Sequence, residues 1–392
     1  MINYENIVKK YGTPLYLFDI DELHNRLEYL HKSLNKDLSL CYAVKANTFI
    51  IKETNDYVDR FEVCSPGEYE VCKKLNIPMS KLVISGVYKT PEVIEEMMEN
   101  HPDIGIYTAE SVTQFELLKK LSTKLKQPIH VLLRLTSGNQ FGMNEEEVEN
   151  IIKDCKKQKY ITINGIEYFS GTQKHSTKRL TKEVEYLKDF VESLEEKYKT
   201  KIEEIEFGTG FPVYYFQSDE FDEKTFFKEF NEIIKTISTK YKITLEVGRS
   251  IASSCGSYLT KVVDKKVNQV GNFAILDGGM NHLVYYGQTM AMKHPHYEIV
   301  PKRKTKEEEF WNLCGSLCTI NDIIVKQLNV PGLDIGDIFI FKNTGAYCMS
   351  EGISLFLSRD LPKVIMKKGL KYEVIRETLP THILNTPNYK GE

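Results

Sequence analysis

Leu38-Ser39-Leu40-Cys41-Tyr42-Ala43-Val44-Lys45-Ala46-Asn47 is an apolar run that hands over to a loop on a lysine. The run reads as a buried strand, and a lysine at such a handover is ordinarily a solvated surface group. An amine held there in a partly desolvated position instead loses some of its preference for the charged form and becomes a nucleophile toward an aldehyde. Which reading holds depends on what the rest of the chain builds around this strand.

Seven further runs of the same kind follow: Phe61 to Cys64, Leu82 to Ser85, Ile104 to Tyr107, His130 to Leu135, Gly165 to Phe169, Glu204 to Phe207 and Ile243 to Val247. Amphipathic segments lie between them: Pro66 to Leu75, Pro91 to Met98, Ser111 to Leu121, Glu145 to Lys157, Lys182 to Lys197 and Lys224 to Lys240. Strand alternating with helix predicts a parallel sheet with crossover helices. Eight such units over about 225 residues predict a closed (β/α)8 barrel of TIM type, which gathers its chemistry at the carboxyl ends of its strands.

The unusual residues sit at those ends. Lys45 follows the first strand and Arg134 ends the fifth. Ser170-Gly171-Thr172 follows the sixth, Gly208-Thr209-Gly210 the seventh, and Glu246 with Gly248-Arg249-Ser250 closes the eighth. Beyond Ser250 the pattern changes to strands without long helices, Tyr258 to Val263, Asn272 to Leu276, Asp322 to Gln327 and Asp337 to Phe341, which predicts an all-β domain. Pro14 to Asp19 reads as an N-terminal strand that joins it. The expected organisation is therefore an N-terminal strand segment over 1–24, a barrel over 25–253 and a β domain over 254–392.

Composition narrows the classes of function. With 392 residues, 41% hydrophobic and 27% charged, the chain is long enough for two cores. A net charge of −3, with both signs interspersed, gives no footprint for nucleic acid. No stretch approaches the roughly 18 uninterrupted apolar residues of a membrane span, and Met1 to Glu5 shows no basic segment leading into an apolar run, so a soluble cytoplasmic protein is expected. The eight cysteines are scattered, none in a C-x-x-C pair, and read as reduced thiols rather than a metal site.

Two adjacent glycine-rich loops after the seventh and eighth strands, Gly208-Thr209-Gly210 and Gly248-Arg249-Ser250, occupy the place where barrels bind phosphate through backbone amides. Taken singly, each is equally a tight turn. Thr172 can add a hydroxyl donor. Glu246 is either a partner of Arg249 or Arg134, or a carboxylate that holds a proton on a heteroaromatic nitrogen. Across about 4 Å that interaction is worth roughly 4 kcal/mol at an effective dielectric near 20. An aldehyde-seeking lysine, a phosphate cradle and a ring-nitrogen carboxylate together describe a site for pyridoxal 5′-phosphate.

The chain also resembles the diaminopimelate/ornithine decarboxylase family, the barrel-type (fold type III) pyridoxal-phosphate enzymes, over nearly its full length. Tyr42 to Asn47 matches the cofactor-lysine motif. Glu246-Val247-Gly248-Arg249 matches a Glu-Pro-Gly-Arg element with Val for Pro, and Gly208-Thr209-Gly210-Phe211 resembles the glycine loop. Cys318 with Asp322, Gly336-Asp337 and Gly345-Ala346-Tyr347 resemble the signatures of the β domain.

The resemblance implies that Lys45 carries the cofactor as an imine and that Glu246 pairs with its ring nitrogen. It further implies that Gly210, Arg249 and Tyr347 contact the phosphate, beside Gly208, Thr209, Gly248 and Thr172. Cys318 becomes the proton donor, reaching in from a neighbouring subunit of a homodimer, with Thr319, Asp322 and Arg134 on the substrate side. By itself Cys318 reads more readily as a small core residue than as a catalytic group, although a thiol of ordinary pKa near 8.5 is a reasonable acid.

Two positions depart from the family pattern. Phe169 stands where a histidine stacks on the cofactor ring, and an aromatic face can still stack. Thr319 stands where an acidic residue meets the distal amine of diaminopimelate or ornithine, and a hydroxyl supplies no compensating charge. The Leu-Cys-Thr arrangement resembles relatives that decarboxylate a modified amino acid, citryl-linked or presented on a carrier protein. The expectation is α-decarboxylation of such a substrate. The alternatives are a diaminopimelate decarboxylase making L-lysine, an amino-acid racemase on the same barrel, and a catalytically silent homologue. Glu246, which strengthens the electron sink, argues against the racemase.

Overall fold

The computed structural model describes residues 2–155, 158–302 and 307–388. Two compact units make up the chain: one of Arg26–Pro212 with Asp222–Ile251, the other of Met1–Asn25, Val213–Phe221 and Ala252–Glu392.

With β1 (Leu15–Asp19) counted first in the chain, the first unit is a closed parallel barrel of β2 (Leu38–Ala43), β3 (Arg60–Val63), β4 (Leu82–Ile84), β5 (Ile106–Ala109), β6 (Ile129–Leu135), β7 (Ile161–Phe169), β8 (Glu204–Gly208) and β9 (Lys242–Val247). All eight expected strands are present. Their ends move by a residue or two, except that β7 begins at Ile161 rather than Gly165. The barrel closes by pairing β2 with β9. Inside it, Cys41, Val83, Ile106 and Leu132 form a small apolar layer.

The crossover helices begin where local chemistry starts them. Pro66–Lys74 and Pro91–Asn100 carry proline in the first turn, where its missing N–H is no loss. Ser65 and Ser111 cap Pro66–Lys74 and Val112–Leu125 by accepting from the amides of Glu68 and Gln114. The helix expected over 145–157 is Glu145–Cys155, and residues 156 and 157 lie outside the described residues. Thr177–Tyr198 and Glu223–Ser238 complete the set expected from the periodicity.

The second unit is a nine-stranded sheet. It contains β1, β10 (Gly256–Asn268), β11 (Gly271–Leu276), β12 (Tyr297–Val300), β13 (Phe310–Cys314), β14 (Ile323–Asn329), β15 (Ile338–Lys342), β16 (Lys363–Lys368) and β17 (Lys371–Arg376). β1 runs antiparallel to β10 and parallel to β16, so the N-terminal strand lies inside this sheet. Its core gathers Leu15, Leu17, Leu259, Ile338, Ile340 and Ile365.

Four of these strands, β12, β13, β16 and β17, were not expected from the sequence, nor was the helix Tyr4–Tyr11 that precedes β1. That helix is capped by Asn3, whose side chain accepts from the amide of Asn6, and it buries Ile7 in the same core.

Candidate active site

Barrel register brings the site together. Gly208 pairs with Phe169 on one side and with Glu246 on the other, and Glu246 pairs in turn with Cys41 on the strand that leads to Lys45. The lysine lies just past β2, in the short turn Val44–Ala46. Its Nζ donates to Glu62 Oε2 at 2.6 Å and to Glu246 Oε1 at 3.4 Å, and lies 3.7 Å from Cys64 Sγ.

The amine is partly out of water and has charge partners that the sequence did not announce. The Lys45 side chain is 40% exposed and is ion-paired with two carboxylates that are themselves 1% and 8% exposed. Those carboxylates are buried because they sit on inward-facing barrel positions, and the ammonium compensates their charge.

Glu62, Glu167 and Glu246 place carboxyl oxygens within 4.8 Å of one another. Burial pushes the Glu246 carboxyl up, and the charge of Glu62 beside it pushes further, against the pull of Lys45. Burial acts on Glu62 too, but the Lys45 ammonium and hydrogen bonds from Glu246 and Lys45 outweigh it and hold that carboxyl below the ordinary range. Of the two carboxyls, Glu246 is thus the one pushed up and Glu62 the one held down.

Arg134, expected to face the substrate, directs its guanidinium to Glu110 at 3.2 Å and Glu167 at 3.3 Å. Glu246 has Lys45 as an ion-pair partner, at 3.4 Å. Burial keeps the Glu167 carboxyl raised even so. Cys64, beside the lysine, is pushed well up by burial and then by the charge of Glu62, so it stands there as a neutral thiol.

The glycine turn has two structural reasons to be glycine. A Cβ on Gly208 would meet Phe169 Cδ2 at 2.2 Å, so the aromatic ring occupies that space. Gly210 has φ +57°, and a Cβ there would lie 2.2 Å from the Gly171 carbonyl oxygen and 3.1 Å from the stem of Lys174. Thr209 is buried, with its hydroxyl donating to the carbonyl of Glu246 at 3.3 Å. Beside this turn Arg249 Nε donates to Thr172 Oγ1 at 3.3 Å, at the start of Arg249–Ala252 just after Gly248. The next hydroxyl, Ser250 Oγ, is buried with no hydrogen-bond partner among the described residues.

The remaining residues of the sequence reading lie in the second unit. Cys318 is exposed on the loop between β13 and β14. Thr319 is half-buried beside it, its N–H donating to the Leu317 carbonyl. Asp322 anchors the loop: its carboxylate is buried and accepts from the amides of Leu317 and Met280, each at 2.8 Å. The missing Cβ atoms of Gly279 and Gly315 make room for that carboxylate. Tyr347 occupies a separate turn, half-buried, with φ +64°.

Sequence reasoning missed Glu62, Glu167, Cys64 and Lys174. The first three carried a signal: an acidic or thiol side chain within a run otherwise fit for a barrel wall, Phe61-Glu62-Val63-Cys64 and Ile166-Glu167-Tyr168. Lys174 carried none, since Gln173-Lys174-His175-Ser176 reads as a solvated loop.

The donor set fits pyridoxal phosphate. A half-exposed amine can take an aldehyde, a buried carboxyl can serve a ring nitrogen, and Phe169 offers a ring face. A guanidinium, two hydroxyls and a glycine turn suit a phosphate, and the orphaned Ser250 hydroxyl is a donor lacking an acceptor.

Comparison with known proteins agrees. The family described as pyridoxal-dependent decarboxylase, pyridoxal binding domain, matches residues 20–253. L-glutamyl-[BtrI acyl-carrier protein] decarboxylase of Niallia circulans is 27% identical, covering 94% of this chain and 92% of that protein. Diaminopimelate decarboxylase of Methanocaldococcus jannaschii is 25% identical, covering 96% and 94%. The crystal structure of AQ1208 from Aquifex aeolicus has the same fold, with a TM-score of 0.86 at 24% identity over 97% of this chain and 92% of that one. The chain belongs to the pyridoxal-dependent decarboxylases and is a pyridoxal 5′-phosphate-dependent amino-acid decarboxylase.

Proposed function

We propose that the substrate is an amino acid in modified form, carried on an acyl-carrier protein or similarly derivatised, rather than free diaminopimelate. The observation that carries this is Thr319: the residue after Cys318 is a neutral, half-buried hydroxyl. A pocket that must hold a distal ammonium selects a carboxylate, because leaving that charge unpaired costs several kcal/mol. The carrier-protein relative, similar over nearly its whole length, supports the same reading.

In this reading the bound cofactor supplies an aldehyde and an electron-withdrawing ring. Lys45 would bind the aldehyde, its amine oriented by the Glu62 carboxylate 2.6 Å away. Glu246 holds a proton at the ring nitrogen, and Phe169 packs on the ring. Thr172, Gly208, Thr209, Gly210, Gly248, Arg249 and Tyr347 bind the phosphate. Cys318 returns a proton to the α-carbon after CO2 leaves, and Thr319 with Asp322 shapes the place of the side chain. Arg134 acts by balancing Glu110 and Glu167.

The active unit in this reading is a cytoplasmic homodimer in which Cys318 comes from the second copy. Mixing inactive Lys45→Ala and Cys318→Ala chains then restores activity, to about a quarter of wild type for random pairing. No recovery on mixing excludes the shared site.

Substrate class is tested by CO2 release from diaminopimelate, lysine, ornithine and glutamate, each free and carrier-linked. The expected result is kcat/KM at least about ten-fold higher for a carrier-linked substrate. Turnover of free diaminopimelate at equal or higher kcat/KM overturns the reading.

A further inference from the structure

Lys174 lies in a stretch that reads as a surface loop, yet its side chain is 0% exposed. An ammonium taken out of water needs a counter-charge and full hydrogen bonding. Both are present. Nζ donates to Glu183 Oε2 at 2.7 Å and to the Gly208 carbonyl at 3.0 Å, and the Lys174 N–H donates to the Gly210 carbonyl at 2.8 Å. Glu183 Oε1 accepts from Arg179 Nε at 2.9 Å and from Ser170 Oγ at 2.5 Å, and Arg179 also donates to the Ser170 carbonyl at 2.6 Å. The ammonium stands 5.1 Å from the Phe207 ring centre and 5.9 Å from that of Phe169.

These contacts converge on the glycine turn. The carbonyls of Gly208 and Gly210 both face Lys174, and in a trans peptide the N–H points opposite to the carbonyl. The amides of Thr209 and Phe211 are thereby turned to the other side, where they make long contacts of 3.4 Å to the Glu246 carbonyl and to Thr209 Oγ1. Gly210 lacks the Cβ that would lie 3.1 Å from Lys174 Cγ and Cε, so the lysine stem packs closely against the turn. The same residue also brings a positive charge behind the turn, in surroundings where charges act more strongly than in water.

We propose that Lys174, held by Glu183, is a positioning residue for the phosphate group of the cofactor: it orients the Gly208–Gly210 turn and places a buried positive charge behind it. This rests on the assignment of that turn to the phosphate made above. It does not touch the aldehyde end, so its effect is confined to the phosphate.

The test compares pyridoxal 5′-phosphate with pyridoxal, which has the same aldehyde and ring but no phosphate. Binding of each to the cofactor-free protein is followed by quenching of intrinsic fluorescence, for wild type and Lys174→Met, with circular dichroism as the check on folding. The expected result is a loss of about ten-fold or more in affinity for the phosphorylated ligand, with pyridoxal changed less than about two-fold. Equal losses for both ligands, or no loss for either, overturn the role of Lys174. If wild type itself does not prefer the phosphorylated ligand, the assignment of the turn fails and the proposal falls with it. Should Lys174→Met not fold, Glu183→Gln replaces it, because it removes the counter-charge while Arg179 and Ser170 remain. The same selective loss is expected there, and an unselective one overturns the proposal.

Discussion

Lys45 stands among Glu62, Glu246 and Cys64 at the end of its strand. On the proposed role of Lys45 as covalent anchor, Lys45→Ala is expected to cost purified protein its absorbance at about 420 nm. A variant that keeps that absorbance would rule the lysine out. Gly208→Ala drives a methyl group into Phe169, whose ring has a carbon 2.2 Å from that position. Cofactor affinity is expected to fall by about ten-fold or more, and the double variant with Phe169→Leu should recover part of it. Thr319→Glu should raise kcat/KM on free substrates with a distal amine, as measured by CO2 release. Lys45 and Glu246 were legible because each ends a strand next to glycine or a loop. Glu62 was passed over because the residue type was read as part of a strand, without asking which way an alternating chain would point it.

Elements contribute through caps and through the small apolar layer of the barrel. Ser111 caps Val112–Leu125, its hydroxyl accepting from the Gln114 amide at 3.1 Å. Ser111→Ala is expected to lower unfolding free energy by about 1 kcal/mol in urea titrations. Leu132, fully buried against Cys41, Val83 and Ile106, has few apolar neighbours to close over a void. Leu132→Ala is expected to cost roughly 2–5 kcal/mol. The barrel strands were legible because both faces of a parallel sheet are covered, which leaves near-continuous apolar runs. β12 and β17 were not, because they alternate or stay half-buried: Tyr297–Val300 is half-buried throughout, and Lys371–Arg376 buries none of its residues fully. Such strands exist through pairing with β15 and β16, which no local pattern announces.

At the scale of the whole molecule, the barrel interior is charged to an unusual degree. Glu206 is fully buried, with Arg60 3.6 Å away, and its carboxyl is pushed well above the ordinary range by burial first and the charge of Glu167 next. Glu167 is raised in the same way, and Glu246 to about 8. The folded chain thus binds these protons more tightly than the unfolded chain does. Their stabilising effect is complete below the unfolded carboxyl pKa of about 4.3 and is lost as pH rises through the raised folded values. Glu62, held down to about 2, acts oppositely and only in acid, below the unfolded value. Between pH 5 and 8 the Tm of cofactor-free protein is expected to fall, and Glu206→Gln to flatten that fall, as read by calorimetry at several pH values. A Tm that rises with pH would show these carboxyls ionised.

Periodicity along the chain determined the barrel, the residues at its strand ends and the cofactor, because apolar runs, turns and glycine loops are local features of the backbone. Only the closed structure decided that Lys45 is ion-paired with Glu62 and Glu246, that Phe169 fills the space a Cβ on Gly208 would need, and that Arg134 serves Glu110 and Glu167. Those facts depend on which side chains meet across strands far apart in sequence, and on how much water remains between them.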